Sequence, residues 1–289
     1  MQNLRLFIEL TRLDKPIGYM LLFWPCLWGL TLAYDFNNNI NIFIFYLCLF
    51  FFGSVLMRSA GCIVNDIVDR NFDKKVERTK NRPIATGKVS IFLASFYVLI
   101  LCVTAFLVLI NFNKLTIFLA IVSMPLAFTY PLMKRYTYWP QLFLGIIFNY
   151  GLILGWASIK ESINLMPVLF YFGAIFWTLG YDTIYGYQDI KDDEIIGIKS
   201  TSIKFKNNPK KILLTCYLIT FLTLISLGIL MNFNYIYFLF LFIPLYHLFF
   251  FQIRKLNINN SNLCLKLFRS NNFFGFIIFI VLLIGKLDI

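Results

Sequence analysis

Apolar runs alternate with short polar connections along the whole of the 289-residue chain. Nine such runs are legible, at about residues 17–34, 40–64, 91–110, 115–131, 140–158, 165–183, 212–231, 235–251 and 273–287. Each reaches or approaches the roughly 20 residues that carry an α-helix across a hydrocarbon core about 30 Å thick. They are too long and too uniformly apolar for barrel strands, which leaves helices as the spanning element. Connections as tight as Asn111–Lys114 and Asn232–Asn234 predict antiparallel neighbours. The expected fold is therefore all-α: a polytopic membrane bundle of about nine transmembrane helices, in a single integral-membrane domain over residues 1–289.

Composition agrees, with 60% hydrophobic and only 14% charged residues and a mean hydropathy of +0.75. A soluble domain of this length cannot hide that much apolar surface. Charge then sets the orientation. With the N-terminus inside, segments 1–16, 65–90, 132–139, 184–211 and 252–272 all face inward, and they carry 22 of the 26 lysines and arginines. That bias predicts a cytoplasmic N-terminus. The net charge of +12 is then an anchor on the inner membrane face, and nucleic acid is excluded as a partner. Residues Met1 to Lys15, with Glu9 and Asp14 among them, do not read as a cleavable leader. The six cysteines are scattered with no CxxC pair, and the single histidine, His247, sits in an aromatic run. Neither a disulfide frame nor histidine chemistry is expected.

The acids are few and concentrated. Of 14, nine fall in or beside two segments on the predicted inner face: Asp66, Asp69, Asp73 and Glu77 in 65–90, and Asp182, Asp189, Asp192, Asp193 and Glu194 in or beside 184–211. Asp69/Asp73 and Asp189/Asp193 are each i,i+4 pairs, 120 residues apart. On a helix, positions 66, 69 and 73 share a face, as do 182, 189 and 193. Like charges at that spacing repel, so the arrangement calls for a counter-ion. Hard oxygen ligands suit Mg²⁺, which commonly bridges carboxylates to phosphate. Two matched segments thus predict a Mg²⁺–diphosphate site. Asn65 is positioned to add an amide oxygen, and the interleaved Arg70, Lys74, Arg78, Arg82, Lys191 and Lys199 to pair with the acids or with phosphate.

These residues resemble a known family. Asn65-Asp66-x-x-Asp69-x-x-x-Asp73 is similar to the first signature of the UbiA superfamily of intramembrane prenyltransferases. Tyr181-Asp182-Thr183-x-Tyr185-Gly186-x-Gln188-Asp189-x-x-Asp192-Asp193 is similar to the second, with Gly197-Ile198-Lys199-Ser200-Thr201 following. Arg12-x-Asp14-Lys15-Pro16, Arg58-x-x-Gly61, Arg78-Thr79-x-Asn81-Arg82-Pro83 and Tyr130-Pro131-x-Met133-Lys134-Arg135-Tyr136-Thr137 extend the likeness, and Ser270-Asn271-Asn272 continues it faintly. The Tyr130–Thr137 stretch and the Tyr-Asp-Thr motif resemble the 4-hydroxybenzoate branch, which serves ubiquinone biosynthesis.

The resemblance implies that the nine helices surround a central cavity, and it implies a transferase that moves a polyprenyl group from polyprenyl diphosphate to the ring of 4-hydroxybenzoate, ortho to its hydroxyl. It implies Mg²⁺ as cofactor, held by Asp69, Asp73, Asp189 and Asp193 with Asn65 and Asp66 in support. Arg70, Lys74 and Lys134 are expected at diphosphate oxygens. Arg58 and Arg135 are both candidates for the substrate carboxylate, Arg58 because an arginine at that depth needs an anionic partner. The expected partners are the two substrates and membrane lipid, and the expected location is the bacterial inner membrane, with the acidic segments on the cytoplasmic side. Another aromatic acceptor, naphthoate or homogentisate, is the nearest alternative. A transporter is the alternative of a different class; it would place ionisable groups near the bilayer midplane, where this chain has almost none.

Overall fold

The computed structural model describes residues 2–287. A short amphipathic helix, α1 (Gln2–Thr11), precedes α2 (Ile17–Ala33), α3 (Ile40–Asp73) and α4 (Ile91–Leu109). Helix α5 (Lys114–Thr129) runs on through a 3₁₀ turn (Tyr130–Leu132) into α6 (Met133–Tyr136), and α7 (Pro140–Lys160) and α8 (Leu165–Gly186) follow. Two short helices, α9 (Ile190–Ile196) and α10 (Thr201–Lys204), lead to α11 (Pro209–Leu230). Helices α12 (Tyr235–Phe240) and α13 (Phe242–Leu245) continue into a π-helical stretch (Tyr246–Ile253), and α14 (Ser261–Arg269) and α15 (Asn271–Gly285) close the chain. Among the described residues, eight helical segments are long and apolar enough to cross a membrane, and α2 is a shorter apolar helix of 17 residues.

Helix α2 is buried along most of its length, against α7, α3 and α15. Protein covers it rather than lipid. Its contact with α7 is close because small residues line it: a β-carbon on Gly29 would overlap the Leu152 carbonyl, and one on Gly155 the Cys26 carbonyl. Lipid tails are as apolar as leucine, so close backbone approach of this kind, and not hydrophobicity, holds membrane helices together. An aromatic column fills the interior, with Trp28 against Phe170 (ring centroids 5.3 Å) and Trp177 (5.1 Å), and Trp177 stacked on Phe274 (5.2 Å). The opposite character marks α4, where Phe92, Leu99, Val103 and Leu107 are exposed as lipid-facing residues are.

Two features differ from the sequence expectation. The second apolar run, expected to end near residue 64, continues as helix to Asp73. The first acid group therefore stands on the rigid end of α3 and not in a loop. No proline or glycine interrupts residues 62–73, and basic side chains from elsewhere cancel the repulsion among the acids. In the second group the opposite holds. Helix α8 stops at Gly186, and Asp189 occupies the N-cap position of α9. Asp182 thus lies on a different helix from Asp193, and the reading of 182, 189 and 193 as one helical face fails.

Candidate active site

The end of α3 and the α8–α9 turn converge on a cavity of about 870 Å³, within the range of small-molecule sites. Asn65, Asp66, Asp69 and Asp73 reach it from α3, Asp182 from α8, and Asp189 and Asp193 from the turn and α9. Beyond this acidic mouth the wall becomes apolar, with Phe50 of α3, Phe106 and Leu109 of α4, and Ile121 and Met124 of α5. One cavity thus joins a charged end to a hydrocarbon-lined arm.

Four acids near the mouth, Asp66, Asp69, Asp73 and Asp189, are paired with basic side chains from other segments. Arg12 Nη2 donates to Asp66 Oδ1 at 2.5 Å. Arg82 Nη1 bridges Asp66 Oδ1 (3.0 Å) and Asp73 Oδ2 (2.9 Å). Lys134 pairs with Asp69, and its charge also bears on Asp193. Arg78 holds Asp189 through Nε (2.8 and 3.0 Å) while its Nη1 donates to the Tyr185 hydroxyl (3.0 Å). Burial opposes the Arg78 charge, but Tyr185 and Asp189 more than offset it and raise its pKa above the ordinary arginine value. Asp193 has no ion-pair partner among the described residues. Burial and then the neighbouring Asp189 push its pKa up to about 6.

Local backbone explains these placements. Arg12 sits at φ 55°, a left-handed conformation that costs an ordinary residue about 1 kcal/mol or more. The turn it makes, closed by Lys15 N–H to the Arg12 carbonyl at 2.9 Å, puts the guanidinium on Asp66. The Thr79 hydroxyl caps the end of α3 through the Asp73 carbonyl (3.0 Å) and turns the chain so that Arg82 comes back over the helix. Pro131 sits in the 3₁₀ turn between α5 and α6, and one turn later Lys134 points at Asp69. The Lys199 amide donates to the Lys134 carbonyl at 2.9 Å, tying this segment to the loop after α9.

Three expected site residues are not in the cavity wall. On α3, Asp69 and Asp73 stand about −60° and −20° from Asp66, whereas Arg70 and Lys74 stand about +40° and +80°. The basic flank is thus turned away: Lys74 is exposed, and the buried Nε of Arg70 has no hydrogen-bond partner. Arg135 is exposed and donates to the Val68 carbonyl (2.9 Å) while its guanidinium covers Phe72 (5.2 Å). Arg58 and Lys134 do line the cavity. The Arg58 guanidinium lies over the Phe148 ring (5.2 Å) with Nε unpaired, and the charge acting on Asp182 is that of Arg58. Arg12 was quoted only as a flanking match, and Tyr185 only within a motif; neither carried a role, because nothing local in sequence says what lies opposite them.

The donor set fits a hard divalent cation. The buried Asp69 Oδ1 has no hydrogen-bond partner, and Asp193 faces Asp189 with its charge unbalanced. No three acids among the described residues gather closely enough to hold an ion unaided. Any ion held there would take the rest of its shell from water or from a bound phosphate.

Membrane-spanning helices around a cavity with an acidic, arginine-studded mouth and an apolar arm define an integral-membrane protein built to hold an anionic head and a hydrocarbon tail. The chain belongs to the UbiA prenyltransferase family, whose model matches residues 22–280. It is 44% identical over 283 residues to the mitochondrial 4-hydroxybenzoate polyprenyltransferase of Bos taurus, covering 97% of this chain and 75% of that one. It is 40% identical over 278 residues to the 4-hydroxybenzoate octaprenyltransferase of Histophilus somni (strain 2336), covering 96% and 95%. The fold is shared with a UbiA homolog from Aeropyrum pernix K1 (TM-score 0.76, 22% identity, 93% of this chain and 98% of that one). It is also shared with one from Archaeoglobus fulgidus bound to GPP and Mg²⁺ (TM-score 0.69, 15% identity, 96% and 99%).

Proposed function

We propose that the protein transfers a polyprenyl group from polyprenyl diphosphate to 4-hydroxybenzoate, forming 3-polyprenyl-4-hydroxybenzoate for ubiquinone biosynthesis. The observation that carries this reading is the convergence of two acid groups with Lys134, Arg78 and Arg82 at the mouth of a cavity whose inner arm is hydrocarbon. The relatives named 4-hydroxybenzoate polyprenyltransferase and octaprenyltransferase support the choice of acceptor.

Asp69, Asp73, Asp189 and Asp193 would hold Mg²⁺, with Asn65 and Asp66 in support, and the ion would supply the positive charge that makes diphosphate a competent leaving group. Lys134, Arg78 and Arg82 stand where phosphate oxygens would meet charge-assisted donors. The allylic C–O bond breaks and diphosphate departs with its electron pair. The apolar arm holds the isoprenoid chain and keeps water from the allylic cation. Arg58, facing the cavity with an unpaired Nε, takes the substrate carboxylate and turns the ring toward that cation. The ring carbon ortho to the hydroxyl forms the new C–C bond, and loss of its proton restores aromaticity.

Isolated membranes given labelled geranyl diphosphate and a panel of acceptors test the reading. Product is expected with 4-hydroxybenzoate; activity confined to naphthoate or homogentisate would overturn the acceptor assignment. In the same assay Arg58→Met should raise KM for 4-hydroxybenzoate about tenfold or more, a loss typical of a charge-assisted pair, with KM for the donor within about twofold. An equal rise in both would remove Arg58 from the acceptor site. The location we favour is the bacterial cytoplasmic membrane with the acidic mouth on the cytoplasmic side, supported by the lysine and arginine bias. Ile195→Cys, at an exposed position on α9, should react with an impermeant thiol reagent only in inverted vesicles; labelling from the outside would reverse the orientation.

A further inference from the structure

Behind the active site, and apart from its cavity wall, lies a buried polar cluster that the chemistry above does not use. It begins in the π-helical stretch Tyr246–Ile253. Long π-helical runs are rare, and those that occur are frequently tied to function. In an α-helix, residues five apart diverge by about 140°; i→i+5 closure brings them to one face. Here that closure sets His247 beside Gln252, both buried, with Gln252 Nε2 at 3.3 Å from His247 Nδ1. His247 Nε2 lies 3.0 Å from the Ser270 hydroxyl, which itself donates to the Leu267 carbonyl (2.7 Å). Gln252 Nε2 also donates to Asn271 Oδ1 (3.0 Å), and its own Oε1 accepts from the Tyr217 hydroxyl (2.6 Å). Asn271 Oδ1 accepts a second bond from Trp177 Nε1 (2.9 Å), and its Nδ2 donates to the Leu267 and Phe268 carbonyls (3.1 Å each).

Every side-chain polar atom of Gln252 and Asn271 thus has a partner, and five helical segments, α8, α11, the π-helical stretch, α14 and α15, are joined through them. In hydrocarbon surroundings a polar group without a partner costs several kcal/mol, so this cluster has one low-energy arrangement. It fixes the α14–α15 junction, Ser270-Asn271-Asn272, which is the faint family match at the end of the chain. What the junction carries forward is Phe268. Its ring lies 4.3 Å from that of Tyr185 and 5.8 Å from that of Tyr181, and it enters the cavity wall. Tyr185 in turn receives Arg78, which holds Asp189.

We propose that Gln252 and Asn271 are positioning residues for the diphosphate half of the site, acting through Phe268 on the Tyr185–Arg78–Asp189 unit. This rests on the function proposed above. Neither residue touches the cavity, so neither contacts substrate. The polar cluster is kept in the membrane interior because it fixes the second acid group against the first.

The test is direct binding of geranyl diphosphate with Mg²⁺ to detergent-purified protein, without acceptor, alongside steady-state kinetics. Gln252→Leu should weaken geranyl diphosphate binding about tenfold and raise its KM to match, with KM for 4-hydroxybenzoate within about twofold. Phe268→Leu, which leaves the polar cluster whole, should give the same split. In an Arg78→Lys background, Gln252→Leu should add little, since both changes loosen one unit. Hydrogen exchange across residues 184–196 should quicken in Gln252→Leu, and this readout is independent of turnover. Wild-type donor affinity in folded Gln252→Leu, a full additive loss in the Arg78→Lys background, or unchanged donor KM in Phe268→Leu would each overturn the proposal. If wild-type protein binds geranyl diphosphate but prenylates a different acceptor, the acceptor assignment falls while this inference stands. If it binds no prenyl diphosphate, the proposed function falls, and unchanged exchange at 184–196 in Gln252→Leu then decides against the positioning role.

Discussion

Replacing Asp69 by asparagine should lower the rate of prenyl transfer at least about 10²–10³-fold, the loss expected when one preorganised electrostatic group is removed from a charge-stabilising site. Asparagine keeps the volume and removes only the charge. Asp69 is buried, with Oδ2 on Lys134 and Oδ1 unpartnered, so little solvent is available to replace what is lost. Both variants leave the Lys134 ammonium without its anion, and Asp69→Ala is the harsher because it also removes the side-chain oxygen that could still accept from Lys134 and leaves a void. Equal losses in the two variants would assign the effect to charge rather than shape. Asp189→Asn, from the opposite wall, should behave alike, since Asp189 is joined to Arg78 as Asp69 is to Lys134. Steady-state rates in membranes, with protein amount normalised by blotting, measure all three. Near-normal turnover in Asp69→Asn would remove it from the reaction centre.

Chelation should have an effect as large and, unlike substitution, reversible. EDTA added to wild-type membranes is expected to bring transfer to background, and excess Mg²⁺ to restore it. Diphosphate carries several negative charges, and the cavity wall already holds seven carboxylates, Glu9, Asp66, Asp69, Asp73, Asp182, Asp189 and Asp193. Of the eight lysines and arginines in the same wall, Arg12, Arg78, Arg82 and Lys134 are already paired with those carboxylates. A divalent cation held by the remaining carboxylate oxygens would supply the diphosphate with further positive charge. Product formation at an undiminished rate in EDTA would exclude a metal from the reaction and leave the basic side chains of the cavity wall, Lys134, Arg78 and Arg82 among them, as the diphosphate's counter-charges.

The membrane character and the helical runs were readable because lipid imposes a condition on every spanning residue separately. A backbone without water must satisfy itself, and that requires long, continuous apolar helices. The two acid groups at the mouth were readable for a related reason: carboxylates are so few in this chain that two groups with the same spacing stand out, and i,i+4 geometry is a local property of a helix. Asn65, Asp66, Asp69 and Asp73 needed only three turns of α3 to come together. Arg70 and Lys74 were expected beside them from proximity in sequence, and the same helical geometry turns them away.

Which partners the acids take was not readable. Arg12 meets Asp66 across 54 positions, Lys134 meets Asp69 across 65, and Arg78 meets Asp189 across 111. Arg58 and Arg135 were indistinguishable as carriers of the acceptor carboxylate until α3 and the α5–α6 turn were packed, which set Arg58 in the cavity wall and Arg135 against Val68 and Phe72. The π-helical pairing of His247 with Gln252 is likewise invisible in an aromatic run.

The sequence by itself determined a helical membrane protein with two matched acid groups and a family resemblance that names donor and acceptor, because apolar length, charge bias and helical spacing are properties of short segments. Only the tertiary structure decided which helix is enclosed by protein, which cations face which acids, and which buried polar groups meet around Asn271. In a membrane the hydrophobic pattern cannot make those choices: a leucine is equally at home against lipid or against a neighbouring helix. Close approach at Gly29 and Gly155, and buried hydrogen bonds such as those of Asn271, fix the helix faces instead.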